Sequence, residues 1–317
     1  MTRATIIGGG AVAALLGLGA LAFAVLVVTS ATPAAHVQRY LDALARDDLV
    51  AAAHLAGLEP PTAMPVGDAG EPSIHRVVSS DDAGDGTVVV TAEYGDETDA
   101  ALVTFALQPA PPIFGLVPAW AFVTPPVGTL TVTADQHDVI AINGQSFVAT
   151  AAGEPVDVSV FVPARVSVRV DEPLVSAPAQ TVRIEAIEGT PPVTLAVEPT
   201  DRLQRIVTNE ITRLLGECAE QRVLQPAGCP FGITIVDRVV EPPLWRLDQL
   251  DEVTIEPGNH PGRWSVRSEG SVQLIVDVQR LFDGTVTSRD DLIGFIVRGE
   301  VTIIDRQPEV RLFSAES

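Results

Sequence analysis

The longest apolar run in the chain covers residues 4–28, which form 25 consecutive positions without a charge. At about 1.5 Å of rise per residue, an α-helix of this length crosses the roughly 30 Å hydrocarbon layer of a bilayer. The pattern predicts a transmembrane anchor at 4–28, with residues 1–3 as a short cytoplasmic stub. The alternative is a signal peptide cleaved near Ala31, although its apolar core is usually only about 7–15 residues long.

After the anchor, the pattern predicts helices followed by strands. Apolar side chains recur at helical spacing over residues 37–55, and Asp48 fits the N-cap of a second helix. Beyond the prolines that follow, apolar and polar positions alternate, and Asp85-Gly86 is typical of a hairpin turn. Residues 33–125 are therefore predicted to form an α+β domain.

Residues 128–199 show no helical period and carry many short alternating runs, which predicts an all-β, sandwich-like domain. The helical period returns at Thr200, where apolar residues from Leu203 to Cys218 form one stripe. The strands predicted after this helix are Ile233–Val240, Glu252–Glu256, Arg263–Ser268, Val272–Leu281 and Phe295–Ile304. The last segment, 200–317, is thus a second helix-then-sheet domain, and the overall class predicted is α+β.

Charge and cysteine content bear on location and partners. The net charge is −21 and all 20 basic residues are Arg, a balance that repels nucleic acid and anionic lipid surfaces. The two cysteines, Cys218 and Cys229, are close in sequence and outside any CxxC motif. This spacing favours a disulfide in an oxidising compartment over a zinc or redox site. With Arg3 before the anchor, we expect the C-terminal bulk to lie outside the cytoplasm.

No residue pattern indicates catalysis, a cofactor or a metal. The chain has no GxSxG, SxxK, HExxH, P-loop or dinucleotide-binding fingerprint. The five histidines lack the short spacing of a metal pair, and the acidic run from Asp81 to Gly86 fits a hairpin turn better than a calcium loop. No catalytic, cofactor-binding or metal-binding residue is therefore predicted.

Three aromatic residues of the first domain are candidates for lining a pocket. Tyr40, Tyr94 and Trp120 lie on a predicted helix and predicted strands, from which they could face a concave sheet. Packing in the core is the alternative for aromatic residues in such positions.

Two stretches carry a family resemblance. Residues 37–45, followed by Asp47-Asp48 and Ala51–Ala53, resemble the opening helices of NTF2-like (cystatin-like) extracytoplasmic domains. Residues 218–232, from Cys218 through Cys229-Pro230-Phe231-Gly232, resemble an element of actinobacterial-type anchored envelope proteins.

The layout as a whole is similar to that of teicoplanin-resistance-associated membrane proteins, and the middle segment with Ile142–Gln145 resembles their β unit. The resemblance implies an anchor, two NTF2-like units and a β unit between them. Such proteins often begin with a cytoplasmic zinc ribbon, whereas only Met1-Thr2-Arg3 precede the predicted anchor here. A stub of this length is expected to leave no room for a cytoplasmic sensing partner.

These observations predict a non-catalytic, single-pass protein of the cell envelope. Its expected contacts are the bilayer, through residues 4–28, and either another envelope membrane protein or a wall glycan. An NTF2-like enzyme of the isomerase or dehydratase type is one alternative, because such cones can house a general acid or base. A structural spacer is the other alternative.

Overall fold

The computed structural model describes residues 31–59, 72–113, 117–304 and 306–313. Over these residues the chain is a β-rich mixture of helices and sheets, which confirms the mixed class predicted from the sequence. The helices of the described residues are α1 (Pro33–Ala45), α2 (Leu49–Leu55) and α3 (Asp201–Glu220).

The predicted membrane anchor at 4–28 lies outside the described residues. Within the ranges that are described, no helix has the length and apolar composition needed to cross a bilayer.

The first unit, residues 31–122, packs two helices on a four-stranded antiparallel meander. Thr32 caps α1 by accepting a hydrogen bond from the Ala35 N–H, and Asp48 caps α2 through the Ala51 N–H. The Asp48 cap was predicted from the sequence. The strands are β1 (Ile74–Asp82), β2 (Val88–Gly95), β3 (Ala101–Ile113) and β4 (Val117–Phe122).

The middle unit, residues 127–199, consists of two sheets, one with three strands and one with five. Buried and exposed side chains alternate along most of its strands, as expected where one face of each sheet covers a shared core. The strands are β5 (Val127–Ala134), β6 (Val139–Ile142), β7 (Gln145–Val148), β8 (Pro155–Phe161), β9 (Ala164–Asp171), β10 (Val175–Ile184), β11 (Val193–Leu195) and β12 (Glu198–Pro199).

The third unit, residues 200–313, places α3 against a six-stranded sheet. Its strands are β13 (Arg238–Val239), β14 (Leu244–Leu250), β15 (Thr254–Pro257), β16 (Arg263–Gln279), β17 (Val286–Ile304) and β18 (Gln307–Phe313). Several sequence predictions were wrong here. The strand predicted at Ile233–Val240 is reduced to β13, two predicted strands are the single strand β16, and β17 begins nine residues earlier than predicted.

Specific polar contacts join the units. The Tyr40 hydroxyl of α1 lies 3.2 Å from the Pro126 carbonyl oxygen and 2.9 Å from that of Val162. Arg165 of β9 pairs with Asp96 of the first unit. The Gly262 N–H donates to Gln136 of the middle unit over 3.1 Å. The first and third units are therefore both fastened to the middle one.

His36 provides a pH test of the first unit. Its ring is buried against Phe122 and its Nε2 lies 2.9 Å from the Leu55 carbonyl oxygen. Burial lowers the pKa of His36 below 6.5, and the contact with Leu55 only partly offsets this effect. Because the unfolded chain then binds a proton more readily than the folded one, stability should fall as pH drops through about 6.5.

We therefore expect the urea midpoint of the α1–α2 helical signal to be lower at pH 5 than at pH 7. Replacing His36 with Gln should flatten this dependence, whereas replacing exposed His54 with Gln should leave it in place. An unchanged pH dependence in the His36→Gln variant would contradict the assignment.

Candidate binding surface

The interior of the first unit is filled by aromatic side chains. Tyr40 is fully buried, and its ring packs edge-on against Phe105, Phe122 and Phe161, with centroids 5.2–6.2 Å apart. Burial raises the pKa of Tyr40 well above 10.0, so its hydroxyl stays protonated and acts as a hydrogen-bond donor. Tyr40 is therefore a core residue and a junction contact, not the pocket-lining residue considered from the sequence.

The other two aromatic candidates, Tyr94 and Trp120, are half-buried and have different surroundings. Burial, with a contribution from Asp47, raises the pKa of Tyr94 to about 12. Tyr94 borders a cleft at the junction with the middle unit, together with Arg165 and Arg183, but the cleft has room for only about 10 Å³. The Trp120 indole N–H donates to the Ala31 carbonyl oxygen over 3.0 Å. The structure therefore does not bring the three candidates together in one cavity.

The apolar core of the third unit contains one face of α3. The stripe on α3 that the sequence predicted is buried at Leu203, Val207, Ile211 and Leu215, and Trp264 of β16 is fully buried as well. Beside this core lies a polar groove of about 1000 Å³, which is lined by Asn209, Glu210 and Arg213 of α3 and by residues of β16, β17 and β18.

Cys218 and Cys229 are joined by a disulfide in the structure, with their Cα atoms 5.8 Å apart. The loop they close leads to Phe231, whose ring contacts Trp245 at 5.1 Å and Phe295 at 5.7 Å between centroids. The bridge therefore ties the end of α3 to the aromatic part of the sheet core.

The described residues contain no group of three or more His, Cys, Asp or Glu side chains placed to hold a metal ion. The unusual features of the described structure lie on the surface of the third unit.

The most unusual of them is a long hairpin, which we call the arm, formed by β16 and β17. The two strands pair in continuous register from Arg263 opposite Thr302 to Gln279 opposite Val286. At about 3.3 Å per residue, the 17 residues of β16 extend about 55 Å away from the contact with the middle unit at Gly262.

The tip of the arm exposes two large apolar side chains. Leu281 and Phe282 are 69% and 96% exposed. The turn that presents them is well fixed: the Leu281 N–H donates to Asp237 over 3.3 Å, and the Thr285 N–H donates to Asp283 over 3.0 Å. The second hydrogen bond lowers the pKa of Asp283. The apolar pair therefore stands on an ordered turn in contact with water.

A groove lies on the same unit, near the end of β18. It has a volume of about 1360 Å³ and is lined by Pro230 of the disulfide loop and by residues of β14, β16, β17 and β18, among them Glu269, Gly294, Ile296, Arg298 and Phe313. Gly294 leaves open space on the strand, because a Cβ there would meet only the Gly270 carbonyl oxygen, at 3.9 Å. The lining combines apolar and charged side chains, as binding grooves for polypeptides do.

Sequence reasoning did not single out the tip or the groove. The one available signal was Leu281-Phe282 directly before the turn dipeptide Asp283-Gly284, because a large apolar pair at a hairpin turn has few neighbours to cover it. The groove gave no signal, since its lining comes from strands distant in sequence.

Comparison of the chain with protein-family models, with curated proteins and with solved structures gives no match. Conclusions about function therefore rest on the geometry of the described residues.

Proposed function

We propose that this chain is a non-catalytic, membrane-anchored protein of the cell envelope that binds another protein through the arm of its third unit. In this proposal residues 4–28 are the anchor, the bulk is extracytoplasmic, and the first and third units are NTF2-like domains on either side of a β-sandwich-like unit. The first two units hold the third one away from the membrane.

The exposure of Phe282 carries the proposal. Burying a Phe or Leu side chain yields about 1.5–3 kcal/mol, so an ordered turn that leaves both in water forgoes a substantial stabilisation. Aromatic side chains that insert into a partner's pocket are typical of the centres of protein interfaces. The arrangement favours a protein partner over a wall glycan, because Leu281 and Phe282 offer an apolar surface and few hydrogen-bonding groups.

Two other observations support the remaining parts of the proposal. The Cys218–Cys229 disulfide fits an oxidising, extracytoplasmic compartment. The aromatic cluster that fills the first unit around Tyr40 favours binding over catalysis there, since a general acid or base must reach a substrate.

The test is photo-crosslinking in cells that express the full chain. A photoreactive residue at Val286, which is half-exposed beside the tip, should form protein adducts. Adding Phe282→Ser should lower the adduct yield at least tenfold, because losing a buried aromatic contact costs about 2 kcal/mol or more.

The matched control is Val148→Ser, which removes a 68% exposed apolar side chain from the middle unit and should not change the yield. Two results would refute the proposed role of the arm. One is an equal adduct yield with and without Phe282→Ser, and the other is adducts that contain glycan alone.

A further inference from the structure

One edge of the arm has no strand beside it over much of its length. β18 pairs with β17 only from Arg298 to Ile304, and within the described residues no strand pairs with the outward edge of residues 286–297. Natural edge strands usually carry charges that block pairing with another chain. Here the charges are confined to Arg289, Asp290 and Asp291, while residues 292–297 are all uncharged.

We propose that the partner of the arm is a second copy of this chain, joined by antiparallel pairing of the two β17 edges about a twofold axis at Asp290. This inference rests on the proposed function, in which the arm is the binding surface. It identifies the protein that the arm binds.

The position of β18 limits the registers that are available. The second copy's β17 must stop before Arg298, because Phe313 already occupies the place opposite that residue. A twofold axis perpendicular to the sheet pairs residues that share a face, so the axis must pass through a residue. An axis at Asp290 places Val286 opposite Gly294 and Ser288 opposite Leu292, and keeps clear of β18.

Charge selects this register over its neighbours. With the axis at Asp290, Arg289 of each copy lies opposite Asp291 of the other. Moving the axis by one residue sets Arg289 opposite Arg289, or Asp291 opposite Asp291. Opposite charges across strands stabilise a pair by roughly 0.2–1 kcal/mol and like charges destabilise it. The unfavourable contact that remains joins the two Asp290 side chains, each of which accepts a hydrogen bond from Gln273 over 2.8 Å.

Arg289 and Asp291, on the face opposite Asp290, already form an ion pair within one copy. Within one copy, Arg289 Nη2 lies 2.6 Å from Asp291 Oδ2. Among the described residues the same oxygen is buried and accepts no hydrogen bond that meets the usual geometry. In the pair of copies, a second Arg289 would lie opposite this carboxylate.

The same register accounts for the exposed tip and the groove together. Continuing it past Val286 brings the second copy's residues 281–285 alongside residues 295–298 and Phe313. There, Leu281 and Phe282 of one copy meet the groove lined by Ile296 and Phe313 of the other. The groove of each copy thus covers the apolar tip of the other copy. In the same register, Val286 of one copy meets the open space at Gly294 of the other.

Single-cysteine crosslinking of the full chain tests this register. Among the described residues both native cysteines are in the disulfide, and the sequence contains no others, so an added cysteine is the only free thiol. Chains with Ser288→Cys and chains with Leu292→Cys should each remain monomeric under mild oxidation. Residues 288 and 288 of two copies, like 292 and 292, would be about 13 Å apart, beyond the reach of a disulfide.

An equimolar mixture of the two variants should instead give a covalent dimer of twice 33.3 kDa, since position 288 of one chain faces position 292 of the other. Asp290→Cys alone should also dimerise. Arg289→Asp added to both chains should reduce crosslinking in the mixture severalfold, and adding Asp291→Arg as well should restore it.

No dimer from the mixture, or equal dimer from Leu292→Cys alone, would overturn the proposed register. If the mixture gives no dimer while the photoreactive residue at 286 still captures a different protein, the arm remains a binding surface and the second copy is the wrong occupant. If neither experiment gives an adduct, the proposed function fails as well.

Discussion

Replacing Trp264 with Ala is expected to destabilise the third unit by about 3–5 kcal/mol, the range for deleting a fully buried large aromatic side chain. Trp264 is fully buried on β16, opposite Val301 of β17 and Pro257 of β15. Since whole domains are stable by only about 5–15 kcal/mol, this change should remove a large share of the unit's stability.

The measurement is hydrogen exchange of the full chain, followed in peptides from β16 and β17. Exchange there should accelerate by at least a hundredfold in the Trp264→Ala variant, while peptides from α1 serve as an internal reference. Unchanged protection of β16 would show that Trp264 does not support the sheet core.

The Trp264 side chain also offers a sharper comparison. Its indole N–H is buried and has no hydrogen-bond acceptor among the described residues, whereas that of Trp245 donates to the Val223 carbonyl oxygen over 2.8 Å. A buried polar group without a partner costs about 1–3 kcal/mol. Trp264→Phe should therefore change the free energy of unfolding of the third unit only slightly, because the loss of packed volume is offset by removal of the unpaired N–H. Trp245→Phe should destabilise more, since it leaves the Val223 carbonyl oxygen without its donor.

Local signals predicted the helices of the described chain well. Thr32, Asp48 and Thr200 each precede an apolar stripe of helical period, and each caps a helix in the structure. N-caps and the 3.6-residue period depend on neighbours in sequence, so one sequence is enough to find them.

The strands of the third unit were harder to predict because long-range packing decides them. The pattern was interrupted at Glu269-Gly270-Ser271, yet β16 runs through it because the Phe295 ring packs over Gly270, where a Cβ would be only 2.6 Å from Cζ. The charged run Arg289-Asp290-Asp291 lies before the last predicted strand, Phe295–Ile304. It belongs to β17 because it pairs with Leu274–Val276 of β16. Arg289 and Asp291 form an ion pair on one face of the strand, and Asp290 is exposed on the other.

The candidate surface was less predictable than the fold. Exposure of Phe282 follows from where the arm ends relative to its neighbours, which no local pattern encodes. Tyr40 illustrates the opposite case: the helical stripe identified it as an inward-facing side chain, but it could not show that aromatic rings would close the space around it.

Replacing Tyr40 with Phe is expected to weaken the junction between the first and middle units by about 1–3 kcal/mol, the cost of leaving a buried carbonyl group without its donor. The hydroxyl lies within hydrogen-bond distance of both the Pro126 and the Val162 carbonyl oxygens. One hydroxyl hydrogen serves two acceptors, which connect the linker after β4 with the turn between β8 and β9. Tyr40→Ala should cost more, about 3–5 kcal/mol, because it also empties the aromatic cluster.

Hydrogen exchange separates these two effects. In Tyr40→Phe, amide groups near residues 126–127 and 160–165 should exchange faster while those of α1 remain protected; in Tyr40→Ala, α1 should lose protection too. Tyr94→Phe is the matched control, since the Tyr94 hydroxyl makes no hydrogen bond with the described residues and its removal should change neither region. Equal acceleration in Tyr94→Phe and Tyr40→Phe would mean that the two carbonyl contacts do not hold the units together. Faster exchange confined to the junction would show that this hydroxyl, alongside the Arg165–Asp96 pair, holds the first unit to the middle one.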